Sequence, residues 1–303
     1  MNKVVIVGCG NVGMAYAYAL VNQKTYVDEL VLISRNMEET IGEAMDLNHC
    51  LPYTENKMKI RAGEYSDCKD AKIVAIAAGA NQKPGETRMD LIYKNAEIFK
   101  QVISDIKASG FDGIYMIATN PLDVMTYLTL KYSGAPYEKV IGTGATLDTA
   151  RLRYLLGEKL DICSKDIDAY VIGEHGDSEF IPWSSANVGF KKITEYLPQE
   201  ELNKIEEEVR NSAYEVIKRK GATCYGIGTC MVRITNAILE DKKVILAVSS
   251  YDKENDVCIS TPTVVGKNGV SEKIHIPLSD NEKIKLQDSI NVIKEAISNL
   301  NLS

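Results

Sequence analysis

The run Val4-Val5-Ile6-Val7-Gly8-Cys9-Gly10-Asn11-Val12-Gly13-Met14-Ala15-Tyr16-Ala17-Tyr18-Ala19-Leu20 decides the fold. Its four leading apolar residues read as a strand buried on both faces, and the stretch after Gly13 reads as a helix. Between them stands Gly-x-Gly-x-x-Gly. Gly8 permits a tight turn, Gly10 lets the backbone approach a pyrophosphate, and Gly13 lets helix and strand pack closely. The unpaired N–H groups at the start of the helix would face the phosphates. Glycines alone would make an ordinary turn. The strand before them and the helix after them make the motif a dinucleotide site.

Outward from this run, residues 30–33, 73–78 and 114–118 are further short apolar runs with the look of buried strands. Between the last two, Ile92, Ala96, Phe99, Val102, Ile103 and Ile106 recur at helical spacing. Strands alternating with helices predict an α/β fold with a doubly wound parallel sheet, a Rossmann domain. Near residue 143 the pattern changes. Residues from about 200 to 220 read as a charged helix with a stripe at Leu202, Ile205, Val209, Ala213 and Val216, stopped by Gly221. Runs at 244–250, 257–265 and 270–276 read as strands, with Pro262 suggesting an edge position or a break in the second. Lys267-Asn268-Gly269 supplies a hairpin turn, and Leu286, Ile290, Ile293, Ile297 and Leu300 line one face of a last helix. The expected division is a dinucleotide-binding domain over 1–142 and an α+β substrate domain over 143–303.

Bulk composition narrows the function classes. A net charge of −7 argues against a nucleic-acid binder, which needs a basic face. No apolar run reaches the roughly 18 residues of a membrane helix, and no signal peptide is visible. The seven cysteines are scattered, with no Cys-x-x-Cys pair, so neither a disulfide framework nor a zinc site is expected. Free thiols fit a reducing cytoplasm, and no metal is called for.

An acid is expected about 20 residues past the glycines, at the end of the second strand, to hold the adenosine ribose. Ser34-Arg35 stands there instead. An Asp would repel a 2′-phosphate, whereas Ser beside Arg can accept one. The cofactor is therefore expected to be NAD or NADP, with a lean toward accepting NADP. The alternative is a solvated Arg35 and weaker NAD binding.

Four further segments carry chemistry: Gly79-Ala80-Asn81-Gln82-Lys83-Pro84-Gly85-Glu86-Thr87-Arg88, Ala118-Thr119-Asn120-Pro121, Leu147-Asp148-Thr149-Ala150-Arg151-Leu152-Arg153, and Gly173-Glu174-His175-Gly176-Asp177. With the glycine motif, in this order, they closely resemble the L-lactate dehydrogenases of the lactate/malate dehydrogenase family. The likeness runs from residue 3 to the last helix. It implies a Rossmann domain followed by an α+β substrate domain, which agrees with the pattern above.

Residue chemistry and the resemblance then meet. His175 can exchange a proton near neutral pH, and the resemblance makes it the acid that protonates a keto oxygen. Asp148 matches the carboxylate that fixes the imidazole tautomer and stabilises its cation. Arg151, one helical turn on, has the planar fork for a substrate carboxylate. The resemblance makes Arg88 the carbonyl-polarising residue of a closing loop, Asn120 a partner of the substrate oxygen and Thr223 a wall of the side-chain pocket. It also implies cofactor contacts at Gly8, Gly10, Asn11, Val12, Gly13, Ser34, Arg35, Tyr65, Gly79, Ala80, Ala118, Asn120 and Thr143. Malate dehydrogenases place an Arg where Gln82 stands. A neutral Gln would leave the second carboxylate of oxaloacetate unpaired, at a cost of several kcal/mol, so pyruvate/lactate is the expected substrate pair.

Two further expectations complete the reading. The family is usually a tetramer, so a homo-oligomer is implied. The positions matching its fructose 1,6-bisphosphate site are Arg153 and Asp168, and an Asp facing a phosphate is repulsive, so activation by that ligand is not expected. Alternatives are another L-2-hydroxy-acid dehydrogenase, acting on a larger keto acid or malate, or a catalytically vestigial nicotinamide-binding protein.

Overall fold

A computed structural model describes residues 1–80 and 88–300. Gln82 lies outside the described residues, and the side chain of Arg88 is not described. Strand and helix alternate through the first half: β1 (Lys3–Val7), α1 (Asn11–Asn22), β2 (Glu29–Ile33), α2 (Met37–Cys50), β3 (Lys59–Ala62), β4 (Ile73–Ile76), α3 (Arg88–Ala108), β5 (Ile114–Ile117), α4 (Leu122–Ser133) and β6 (Val140–Gly142). These six strands are parallel and lie in the order β3-β2-β1-β4-β5-β6. The winding reverses between β1 and β4, which opens a crevice at their C-terminal ends, where α1 begins. Strands β1, β2, β4 and β5 are buried at every position, so each reads as a continuous apolar run rather than an alternating one.

The second half adds α5 (Thr146–Leu160), the short strands β7 (Ile167–Asp168), β8 (Asn187–Val188) and β9 (Lys191–Lys192), α6 (Gln199–Lys220), α7 (Tyr225–Leu239), β10 (Val244–Asp252), β11 (Val257–Gly266), β12 (Gly269–Lys273) and α8 (Asp280–Ser298). The large sheet does not stop at residue 143. β10 joins it antiparallel to β6, with Ser249 opposite Gly142, and β11 and β12 carry it to nine strands. One face packs on α1, α2 and α7 through Tyr16, Leu20, Leu47 and Met231. The other packs on α3 and α4 through Phe99, Ile103 and Leu128. A third core gathers Leu152 and Leu156 of α5, Val171 and Ile181, and Leu202, Ile205 and Val209 of α6. Ala213 and Val216 continue the α6 stripe but are only half-buried, and Gly221 ends the helix at φ +84.

Pro262 departs from expectation. It sits inside an unbroken β11, opposite Ala247 of β10, and the sheet edge is β12. Its carbonyl accepts from the Ile274 N–H at 2.8 Å, so its nitrogen faces the β12 side. There the ladder already shifts register between Thr263 and Val265, and the missing N–H disturbs no regular pairing.

Candidate active site

The crevice at β1 is built from backbone. Gly8 has φ +105, and a Cβ on it would stand 2.4 Å from the Ala78 nitrogen. A Cβ on Gly13 would lie 1.9 Å from the Gly8 carbonyl oxygen. The protein itself demands these two glycines. Gly10 is different: its φ of −85 suits any residue, and nothing lies within 4 Å of its would-be Cβ. Gly10 caps α1 without any side-chain hydrogen bond, so the N–H groups of Asn11 and Val12 open onto that space. A cradle of this kind, uncapped and lined by a helix N-terminus, fits a pyrophosphate.

The neighbouring strand ends line up with it. A Cβ on Gly79 would meet Thr119 Cγ2 at 2.6 Å, so the chains after β4 and β5 touch here. Buried Asn95 of α3 ties them: its Oδ1 accepts from the Ala80 N–H at 2.7 Å, and its Nδ2 donates to the Asn120 carbonyl at 2.8 Å. Ala118 is half-buried, and Thr143, just past β6, is buried and donates its N–H to Ile117. Tyr65 opens a single helical turn beyond β3 and is half-buried against the α3 core. Ser34 is half-buried after β2. Arg35 is exposed and makes no ion pair among the described residues. Two acids of α2 also lie on this side. Burial, then the charges of Glu43 and Glu39, push the Cys9 thiol up to about 11.

The other end of the site is built from buried charge. Asp148 sits in the first turn of α5, 2% exposed. Its Oδ1 accepts from Arg151 Nη1 at 2.6 Å, and its Oδ2 faces His175 Nδ1 at 2.7 Å. Burial would raise the Asp148 carboxyl, but the neighbouring His175 and Arg151 hold it below the usual carboxylate range. Burial likewise opposes a charged imidazole, yet Asp148, with Glu179 and Asp123 behind it, overrides this and lifts His175 to about 9. With Nδ1 taken by Asp148, Nε2 is the ring atom left for a substrate.

The histidine loop is fastened from three sides. Gly173, at φ +102, exchanges two backbone hydrogen bonds with Ser260 of β11. The Glu174 N–H donates to Ser289 Oγ of α8 at 2.6 Å. The His175 N–H donates to Asp123 Oδ2 of α4 at 2.7 Å, and Ser249 Oγ donates to the other Asp123 oxygen at 2.6 Å. Asp123 is 2% exposed, and burial pushes its carboxyl up to about 6 despite these bonds. A cavity of about 200 Å³, walled by Ile92, Leu122, Ile293 and Ala296, has His175 and Asp123 at its border.

The structure thus brings Asp148, Arg151 and His175 together, with Asn120 at the end of β5. Thr223 is half-buried in the link between α6 and α7. Three residues on, Gly226 packs against Leu147, beside Asp148. Arg88 is the first residue of α3. Arg153 donates from Nε to the Ala169 carbonyl at 3.0 Å and lies over the Tyr170 ring, while Asp168 is exposed at the end of β7. Sequence reasoning missed Asn95, Asp123 and Glu179. Asp123 and Glu179 each stood two residues past a recognised motif, after Pro121 and Asp177, and Asn95 stood near none.

Fold and site define a class, and comparison with known proteins agrees. The model of the lactate/malate dehydrogenase NAD binding domain matches residues 2–142, and that of the lactate/malate dehydrogenase alpha/beta C-terminal domain matches residues 145–301. The chain belongs to the lactate/malate dehydrogenase family. Within it, the chain is 48% identical to L-lactate dehydrogenase 2 of Bacillus cereus and 48% identical to L-lactate dehydrogenase of Bacillus pumilus, over 98% of each chain. Among solved structures it is similar to the minor L-lactate dehydrogenase of Enterococcus mundtii, at TM-score 0.97 and 42% identity over 100% of this chain and 99% of that one. It is likewise similar to MGS-M5, a lactate dehydrogenase from a deep-sea metagenome library, at TM-score 0.96 and 48% identity over 99% and 98%.

Proposed function

We propose that the chain is an L-lactate dehydrogenase, interconverting pyruvate and (S)-lactate with a nicotinamide cofactor. The observation that carries this reading is the buried chain Arg151–Asp148–His175, held at 2.6 and 2.7 Å beside the glycine-built crevice. The names of the relatives at 48% identity support it.

The roles rest on this geometry where side chains are described, and on the family resemblance for Arg88 and Gln82. Gly8, Gly10, Asn11, Val12 and Gly13 hold the pyrophosphate, and Tyr65, Gly79, Ala80, Ala118, Asn120 and Thr143 line the remaining crevice. The bound nicotinamide supplies or accepts a hydride. Arg151 grips the substrate carboxylate and keeps its second role as a partner of Asp148. His175, protonated on both nitrogens, donates from Nε2 to the keto oxygen as the alcohol forms, and takes the proton back in reverse. Asp148 holds Nδ1–H and so fixes which nitrogen reacts. Asn120 hydrogen-bonds the same oxygen. Arg88 polarises the carbonyl as its loop shuts out water, which strengthens every charge inside. Gln82 and Thr223 shape the side-chain pocket, and the neutral Gln82 favours a methyl over a second carboxylate.

Finer points belong to the same proposal. Residues 1–142 bind cofactor and 143–303 supply the acid–base and substrate groups. Ser34-Arg35 admits a 2′-phosphate, although Glu39 and Glu43 oppose it, so both NADH and NADPH serve. The enzyme works in the cytoplasm as a homo-oligomer, a tetramer by family resemblance. All seven cysteines are free thiols, and among the described residues no helix is long and apolar enough to cross a membrane. The Arg153–Asp168 pair does not respond to fructose 1,6-bisphosphate. Steady-state rates with pyruvate, oxaloacetate and a branched keto acid, each with NADH and NADPH, test the reading. Fastest turnover of pyruvate is expected. Turnover of none of the three would refute it.

A further inference from the structure

Glu179 plays no part in the mechanism above. It lies four residues past His175, is 6% exposed, and places a carboxylate oxygen within 4.8 Å of both a His175 ring nitrogen and an Asp148 oxygen. The charged groups facing it come from three elements. They are Asp148 and Arg151 of α5, His175 of its own loop, and Arg210 of α6. Arg210 Nη2 donates to the Glu179 main-chain carbonyl at 3.3 Å, and its Nε is buried without a hydrogen-bond partner. Both Asp148 oxygens are committed to Arg151 and His175. Among the described residues no hydrogen bond reaches the Glu179 carboxyl, so no hydrogen bond compensates its charged form for the water it loses.

Charge counting gives this acid a consequence. With Glu179 neutral and Arg210 offset by Glu206 at 3.4 Å, Asp148, Arg151 and a protonated His175 leave one net positive charge for the single carboxylate of a 2-keto acid, before Arg88 is added. With Glu179 ionised, that balance is zero. We propose that Glu179 is a positioning residue that sets the upper pH limit of keto-acid binding: its protonated form leaves a net positive charge for the substrate, and its ionised form cancels it.

The inference rests on reading the site as a 2-keto-acid reductase. Burial, then the Asp148 charge, push Glu179 up to about 9, while His175, Arg151 and Arg210 pull the other way. His175 titrates in the same range, so the two release protons as a coupled pair. Productive pyruvate binding then requires two protons where His175 alone would require one. The carboxyl also explains why three groups of metal-ligating type meet here: a neutral acid beside an occupied His–Asp pair needs no cation.

The test is the alkaline limb of the rate profile, backed by direct proton counting. For wild type with NADH, kcat/KM for pyruvate should fall by about two decades per pH unit well above pH 9. In E179Q it should fall by about one, with the difference in KM rather than kcat. Binding of oxamate to the enzyme–NADH complex at about pH 10 should take up more than one proton per site in wild type and at most one in E179Q. Should E179Q not fold, E179S removes the same acid without filling space. A slope of one in wild type, or a slope and uptake unchanged by either variant, overturns the proposal. These outcomes are distinct from failure of the parent reading, which would appear as no oxidation of NADH by pyruvate at neutral pH.

Discussion

The two ends of the site are made of different materials. The crevice at Gly8–Gly13 is backbone: one glycine with positive φ, one whose added Cβ would stand 1.9 Å from a carbonyl oxygen, one facing open space, and an uncapped helix. The end at His175 is side chain: a carboxylate bridging a guanidinium and an imidazole, with a second loop-holding acid, Asp123, behind it. Shape should govern the first end and charge the second. Substitutions can break or sharpen that contrast.

The largest effect is expected at His175. In His175→Gln, kcat/KM for pyruvate should drop by about 10²–10⁴-fold while NADH affinity, read by fluorescence titration, stays put. Loss of NADH binding alongside turnover would blur the two ends into one. Next comes Gln82→Arg. A cation there should move the ratio of pyruvate to oxaloacetate efficiencies by about a hundredfold toward oxaloacetate. A ratio that did not move would show that charge does not govern the substrate end.

The glycines should respond to shape alone. Gly13→Ala forces a methyl into the Gly8 carbonyl and should cost about 1–3 kcal/mol, seen as a lowered unfolding temperature. In Gly10→Val the Cβ would have no protein atom within 4 Å, so stability should hold while the NADH Kd rises by about tenfold. If Gly10→Val lowered the unfolding temperature as much as Gly13→Ala, the space beside Gly10 would not be the cofactor's. The smallest effect is expected where charge enters the backbone-built end. Ser34→Asp should raise the KM for NADPH relative to NADH by a few-fold, through repulsion of the 2′-phosphate. Equal KM values before and after would remove the argument from Ser34-Arg35.

The same contrast explains what could be read from sequence. A glycine motif is local: turn, close approach and helix start all fall within six residues, so Gly8, Gly10 and Gly13 announce themselves. Strands buried on both faces are equally plain. α4 is not, because nine of its twelve residues are buried and no polar face marks its period. β7, β8 and β9 are two residues each, too short for any alternation. At the charged end, the spacing of Asp148 and Arg151 puts them on one helical face, and their roles were legible only through the family resemblance. Asp123 acts across 52 residues on the main chain of His175, and Glu179 matters only because folding places it near Asp148. Neither relation leaves a period or a motif in the chain. Pro262 misled because its tolerance depends on a register shift in the neighbouring strand, which no local rule contains.

The central claim is that one imidazole, oriented by Asp148, meets the substrate oxygen while Arg151 holds its carboxylate. The most direct measurement is a crystal structure of the enzyme with NADH and oxamate. The account predicts His175 Nε2 about 2.7–3.2 Å from the oxamate carbonyl oxygen, with both oxygens of the oxamate carboxylate on the Arg151 guanidinium. An imidazole turned away from the inhibitor, or a carboxylate seated on another cation, would contradict it.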